Sequence, residues 1–421
     1  MSVEGSVSLV DANTARDYTI DAGAMGPIGE GESLILRATR NCPWNRCLFC
    51  GVYKGKKFQF RSASEIRNDI DVVRRITDLV EEASWDIGLG GRIVGELFPK
   101  IIRAHPHIYG EESQRLTLEN YAARRSLGNV MNWLMCGRRR VFLQDANSLI
   151  MRPGELAEVL TYLKEAFPTI RTITSYARSK TCAQRSAQEF EKLRDAGLSW
   201  LFVGIESGAN EVLKSMRKGV TAEEHIDGGR KVMGSGIHLA AFVMPGLAGN
   251  NGELSQEHVT QTTRVLNEIM PTEVRVRSLA VLEGTPLYAR WLSGDFSPAS
   301  EDQMIEEIGF MVKNIEFDCT FETYQMTNVL FNIKENLNEK RDELISRIKA
   351  YQDLPVWERA RFRFHRYLYH GYVDYLERIG RCDASLHRLI EEAKKSLERK
   401  DPRAMGKVEQ AIFAIKSKAV P

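Results

Sequence analysis

Asn41-Cys42-Pro43-Trp44-Asn45-Arg46-Cys47-Leu48-Phe49-Cys50-Gly51 is the stretch whose reading orders the rest of the chain. It sets three cysteines at C-x4-C-x2-C spacing, directly after an apolar strand-like run from Ser33 to Arg37. Three thiolates so close can grip one soft metal centre. A tetrahedral zinc site wants four ligands, and the next candidates, His105 and Cys136, lie far along the chain. An iron–sulfur cube normally takes four cysteines. Three in one loop leave an iron for something other than a protein thiolate, and an open iron is a place for chemistry. The competing readings are a zinc-stabilised partner-binding module whose fourth ligand is distant, and an iron–sulfur protein that only transfers or senses electrons.

Composition bounds the setting. The chain has 421 residues, 43% hydrophobic and 27% charged, an ordinary globular mix suited to one large α/β domain with an appendage. A net charge of +2 gives no electrostatic case for nucleic acid or for a membrane surface. Seven cysteines, an odd number with three clustered, do not read as a disulfide framework and point to a reducing compartment. The N-terminal residues lack the basic and apolar regions of a signal peptide, and no run of about eighteen apolar residues occurs, so a cytoplasmic location is expected.

The cysteine loop resembles that of the radical S-adenosylmethionine (radical SAM) enzymes, usually C-x3-C-x-aromatic-C at the end of the first barrel strand. Phe49 stands in the aromatic slot and Gly51 follows the last cysteine. The extra residue between Cys42 and Cys47 departs from the usual spacing, and resembles the longer loop of the superfamily's uncharacterised iron–sulfur oxidoreductases. The resemblance implies a [4Fe–4S] cluster on Cys42, Cys47 and Cys50, with S-adenosylmethionine (SAM) as the second cofactor. It also implies an electron donor such as flavodoxin or ferredoxin.

The organisation of the chain agrees. A first strand at 33–38 is followed by an amphipathic helix over 62–83, with Ile66, Ile70, Val73, Ile76 and Val80 at helical spacing. From Arg140 onward short apolar runs alternate with helical patterns: strands at 141–143, 170–176, 200–205, 237–244 and 273–281, with helices at 153–167, 187–196, 221–235 and 255–269. Such repeated βα units mean a parallel sheet. The expected fold is a partial parallel (β/α)6 barrel over 33–321, of the coproporphyrinogen-oxidase-like and Elongator-like kind. It is preceded by an N-terminal segment, 1–32, that holds a loop at 22–27. A mostly helical insertion is expected at 84–139, and a helical C-terminal region at 322–421 with Pro355 and Pro402 as breakers.

Sites in such folds form at the carboxyl ends of the strands. The resemblance implies roles there. Asp145 and Asn147, after the second strand, replace the usual Gly-Gly-Glu as acceptors for the methionyl ammonium. Ser175 and Arg178 approach the nucleoside end of SAM. Glu206 bonds the ribose hydroxyls, Arg217 or Lys218 meets the methionyl carboxylate, and Gly246 lets backbone approach the adenine. Arg275 and Arg277 rest on the residues themselves. Period two sets them on one face of the sixth strand, where a lumen-facing cation wants an anion. They are expected to select an anionic substrate, small molecule or peptide; internal pairing with Glu273, Glu283 or Asp145 is the alternative. Gly88–Gly95, His105 and His107 read as linker and surface turn, and Cys136, Cys182, Cys319 and Cys382 as isolated thiols. No residue is assigned to the chemical step. The expected reaction is reductive cleavage of SAM and abstraction of a hydrogen atom from a substrate.

Overall fold

The computed structural model describes residues 14–23, 29–111, 115–330, 332–399 and 404–418. Most of the expected loop at 22–27, and Pro402, lie outside them. Contacts group the chain into two compact units: Met1–Arg40, Gln59–Tyr176 and Lys192–Ser199 form the first, and Asn41–Phe58, Ala177–Glu191 and Trp200–Pro421 the second. The insertion at 84–139 is grouped with the early strands, and the C-terminal helices with the later ones.

In the first unit, β1 (Leu34–Arg37), β2 (Arg140–Gln144) and β3 (Thr172–Ala177) run parallel in that order, Leu34 opposite Val141 and Val141 opposite Ile173. Leu34, Leu36, Val141, Phe142 and Leu143 are fully buried, the near-continuous apolar run of a strand covered on both faces. Helix α1 (Ala63–Asp86) buries Ile66, Ile70, Val73, Ile76 and Val80, the stripe read from the sequence. Each contributes roughly 1.5–3 kcal/mol relative to exposure. Ser62 begins α1 with a capping box: its Oγ accepts from the Glu65 N–H at 3.1 Å, and Glu65 accepts from the Ser62 N–H at 2.8 Å. The insertion is helical as expected, with α2 (Leu97–Ala104), α3 (Pro106–Tyr109) and α4 (Leu118–Met135). The expected surface turn at His105–His107 is the start of α3, with Pro106 at its first position.

In the second unit, β4 (Leu198–Glu206), β5 (His238–Val243), β6 (Glu273–Val276) and β7 (Thr320–Glu322) run parallel in that order, and β8 (Lys334–Asn336) pairs antiparallel with β7. Two expectations are corrected here. The sixth strand stops at Val276, not Val281. After Arg277 the backbone leaves the ladder, the Ser278 N–H donating to the Asn328 side chain and the Leu279 N–H to the Pro245 carbonyl. Strands also do not end at Phe321: β7 and β8 follow β6, and both are too short for alternation to show in sequence. The C-terminal helices are nonetheless bound in: Lys416 pairs with Glu301 at 2.5 Å, and Arg363 with Asp302 at 2.6 Å.

The fold is α/β, with parallel strands alternating with helices as in a partial (β/α)6 barrel, a helical insertion and a helical C-terminal region. No closed barrel forms among the described residues. No described helix is long and apolar enough to cross a membrane.

Candidate active site

The second unit builds the site around the cysteine loop. The Leu48 N–H donates to the Met216 carbonyl, and the Leu48 carbonyl accepts from the Leu287 N–H, both at 3.0 Å. Leu48 itself packs with Val212, Met216, Met244, Leu247 and Leu287. Trp44 is the second anchor. Its indole N–H donates to the Arg217 carbonyl at 2.8 Å, and the guanidinium carbons of Arg46 and Arg178 each lie 5.0 Å from its ring centroid. Gly219, with φ +70°, lies so close that a Cβ there would be 2.2 Å from the indole. The cysteine loop and the Glu206–Gly219 segment are therefore fitted to each other by a residue the sequence reading passed over. The signal was present: a tryptophan in a short loop needs both a packing surface and an acceptor for its N–H.

Charge converges on the thiols. Lys218 donates to Glu206 at 3.0 Å and lies 5.9 Å from the Phe49 ring centroid. Arg178 donates to the Lys218 carbonyl at 2.8 Å. Burial pushes the Cys47 thiol up and the neighbouring thiols reinforce it, while Lys218 and Arg178 oppose it. Burial also raises Cys50, opposed by its hydrogen bond to the Val52 backbone and by the charges of Arg277 and Lys218. Burial alone would lower Lys218, but Glu206 and Cys47 outweigh it and hold the ammonium charged. Burial lowers Arg178, against the pull of Cys42 and Cys47. These thiols are costly to ionise without a metal and are surrounded by cations, a donor set that suits a soft, positively charged centre.

Among the described residues, the one group of metal-ligating side chains with all ligand atoms within 4.8 Å is Glu377, Cys382 and His387. Cys382, expected to stand alone, has Glu377 and His387 beside it.

The remaining expected residues of this unit have distinct placements. Glu206 ends β4 at φ +64° and its carbonyl accepts from the Met244 N–H. Arg217 is exposed while Lys218 is half-buried, so Lys218 is the basic residue facing the loop. Gly246 has φ +83°, and its N–H donates to Glu307 at 2.7 Å. Glu307 also accepts from Ser255 at 2.5 Å and lies 3.7 Å from His258, whose other ring nitrogen is 2.8 Å from the Ser207 hydroxyl. This buried network ties the turn after β5 to the turn after β4. Burial raises the Glu307 carboxyl to about 7 and lowers His258 to about 4. No motif marked these residues, because their partners are distant in sequence.

The two arginines of the sixth strand differ. Arg275 is buried and held by Glu273 at 2.9 Å and Glu322 at 3.7 Å, with its guanidinium carbon 4.5 Å from the Phe202 ring centroid. This is the internal pairing that stood as the alternative, so the expectation that it selects substrate is corrected. Arg277 lies past the strand end, and its charge acts on Cys50 and on Tyr372.

In the first unit, Asp145 is buried and accepts from Arg37 at 2.7 Å. Asn147 is fully buried and precedes a short 3-10 turn, Ser148–Ile150. The Ser175 hydroxyl donates to the Leu143 carbonyl at 2.8 Å and lies 2.7 Å from that of Ser148. Each expected ligand here already has a protein partner.

A comparison with known proteins agrees with the geometry. The model of the Radical SAM superfamily matches residues 134–259, a stretch that does not include the cysteine loop. Over that stretch the chain is similar to the radical SAM enzymes, whose cofactors are a [4Fe–4S] cluster and SAM. Among curated relatives it is similar to the tRNA uridine(34) acetyltransferases of Methanocaldococcus infernus and Methanocaldococcus jannaschii, 29% and 26% identical over 133 residues. That match takes in 32% of this chain and 24% of each relative's length. Among solved structures, coproporphyrinogen III oxidase from Escherichia coli aligns with a TM-score of 0.39 at 13% identity, covering 67% of this chain and 51% of that one. The Elp3 protein of Methanocaldococcus infernus aligns at 0.38 and 19%, covering 51% and 53%.

Proposed function

We propose that this protein cleaves SAM reductively and uses the product radical to take a hydrogen atom from an anionic substrate. Cys42, Cys47 and Cys50 would hold the cluster. When bound, the cluster would supply the electron for reductive cleavage of SAM, the chemistry that makes hydrogen-atom abstraction from the substrate possible. The protein's own residues do the rest. Lys218, kept charged by Glu206, offers an ammonium to the methionyl carboxylate, and Glu206 an acceptor to the ribose hydroxyls. Gly246 presents backbone without a side chain where the adenine lies. Apolar packing under Leu48 and Met244 excludes water. Arg277, whose charge reaches Cys50, is the residue we assign to the substrate's anionic group.

The convergence of Lys218 and Arg178 on the Cys47 thiol, and of Arg277 and Lys218 on that of Cys50, carries this reading. A small acidic electron carrier such as flavodoxin or ferredoxin fits the exposed Arg46, Lys56 and Lys57 of the same loop, and a cytoplasmic oxidoreductase fits seven cysteines that are all free thiols. The archaeal relatives modify tRNA by name, but they share only a quarter of their length with this chain, and neither RNA nor acetyl transfer is carried over.

The test is anaerobic reconstitution with iron, sulfide, dithionite and SAM. SAM should change the paramagnetic resonance spectrum of the reduced cluster, and 5′-deoxyadenosine should be released slowly without substrate. Arg277→Met should preserve both signals and lose coupled hydrogen abstraction. An unchanged spectrum at saturating SAM would overturn the proposal.

A further inference from the structure

The C-terminal helices of the second unit line an open cavity of about 660 Å³ that none of the residues assigned above lines. That volume is in the range of small-molecule sites. Its wall comes mainly from the helices Leu337–Gln352 and Val356–Tyr369. Arg347, Arg361 and Arg366 bring three guanidinium groups to it against one carboxylate, Glu358. The contrast along the second helix is informative. Arg359 and Arg363 receive carboxylates from Asp302 and Glu409. Among the described residues, neither Arg347 nor Arg361 forms an ion pair. Arg366 is buried, donates to the Met326 carbonyl, and lies 5.7 Å from the Tyr367 ring centroid.

Rings stand beside the charges. Phe362 is 44% exposed on this wall and meets the Tyr351 ring edge-on at 5.5 Å. Guanidinium forks match phosphate oxygens, and an open aromatic face takes a flat ring by stacking.

We propose that this cavity binds a phosphate ester carrying a planar ring, the chemistry of a mononucleotide, at a place separate from the SAM site. The full reconstituted chain would be titrated with guanosine monophosphate, guanosine and inorganic phosphate, with and without saturating SAM. The monophosphate should bind about tenfold or more tighter than guanosine, as charge-assisted bonds to its phosphate require, and SAM should not displace it. Arg361→Glu reverses an exposed charge. It should weaken the monophosphate about tenfold or more while leaving iron content and SAM binding unchanged. Phe362→Ala should weaken the monophosphate several-fold and leave phosphate unaffected, which keeps the test decisive if the arginine variant folds poorly. Equal binding of nucleotide and nucleoside, displacement by SAM, or indifference to both substitutions would each overturn the proposal.

Discussion

Two carboxylate–cation groups in the second unit use the same chemistry for different ends. At the end of β4, Glu206 holds Lys218, and the ammonium's other charged neighbours are the Cys47 thiol and Arg178. On β6, Arg275 lies between Glu273 and Glu322 with two phenyl rings, Phe202 and Phe242, against its guanidinium. The first group points its charge at the cysteine loop. The second closes on itself, and an external anion would find the cation already taken. A buried arginine on a barrel strand is therefore evidence of function only after its partners have been counted.

The sharpest way to break that contrast is to remove the thiols. Cys42→Ala, Cys47→Ala or Cys50→Ala should reduce bound iron and sulfide to background. Cys136→Ala, Cys182→Ala, Cys319→Ala and Cys382→Ala should leave both unchanged. A requirement for Cys136 equal to that for Cys47 would mean four protein ligands and no open iron.

Arg275→Met comes next. It strands two buried carboxylates, and should cost roughly 3–5 kcal/mol of stability in a denaturant melt. Unchanged stability would mean the β6 group is not closed.

Glu307 gives a pH test of the network behind the site. Its carboxyl is raised from 4.5 to about 7 by burial, so the folded protein holds a proton the unfolded chain releases. The stability this contributes is complete below about pH 4.5 and is lost as pH rises through about 7. The size is on the order of 3 kcal/mol. Glu307→Gln should flatten that slope in melts across the window; an unaltered slope would assign the titration elsewhere.

Glu206→Ala is the mildest change. It should weaken SAM binding by roughly 1.5–3 kcal/mol with a smaller loss of stability than Arg275→Met. The reverse order would exchange the roles of the two groups.

The sequence carried the fold where the period was long enough to see. Ile66 to Val80 on α1 and the runs of β1 to β5 read correctly because burial imposes a repeat on the residues. It failed at β7 and β8, where three residues cannot show a period, and at the end of β6, where Asn328 and Pro245 capture the backbone from far along the chain. The cysteine loop was legible because its ligands are local. The partners of Asp145 and Ser175 were not, because a strand-end residue's neighbour is chosen by register with another strand; of Arg275's two carboxylates, Glu273 on its own strand could be read and Glu322 on the next could not. Glu307 escaped because its partners, Gly246 and Ser255, are distant in sequence.

The fastening of the cysteine loop has a consequence for assembly. In a zinc finger the metal does the folding, and the chain without it has no shape. Here the Leu48 amide, the Trp44 indole and the fit against Gly219 fasten the loop by protein contacts of its own. Cluster insertion is then closer to filling a cradle than to moulding one. A chain that loses its iron to oxygen should retain the outline of the site and accept a new cluster without passing through the unfolded state.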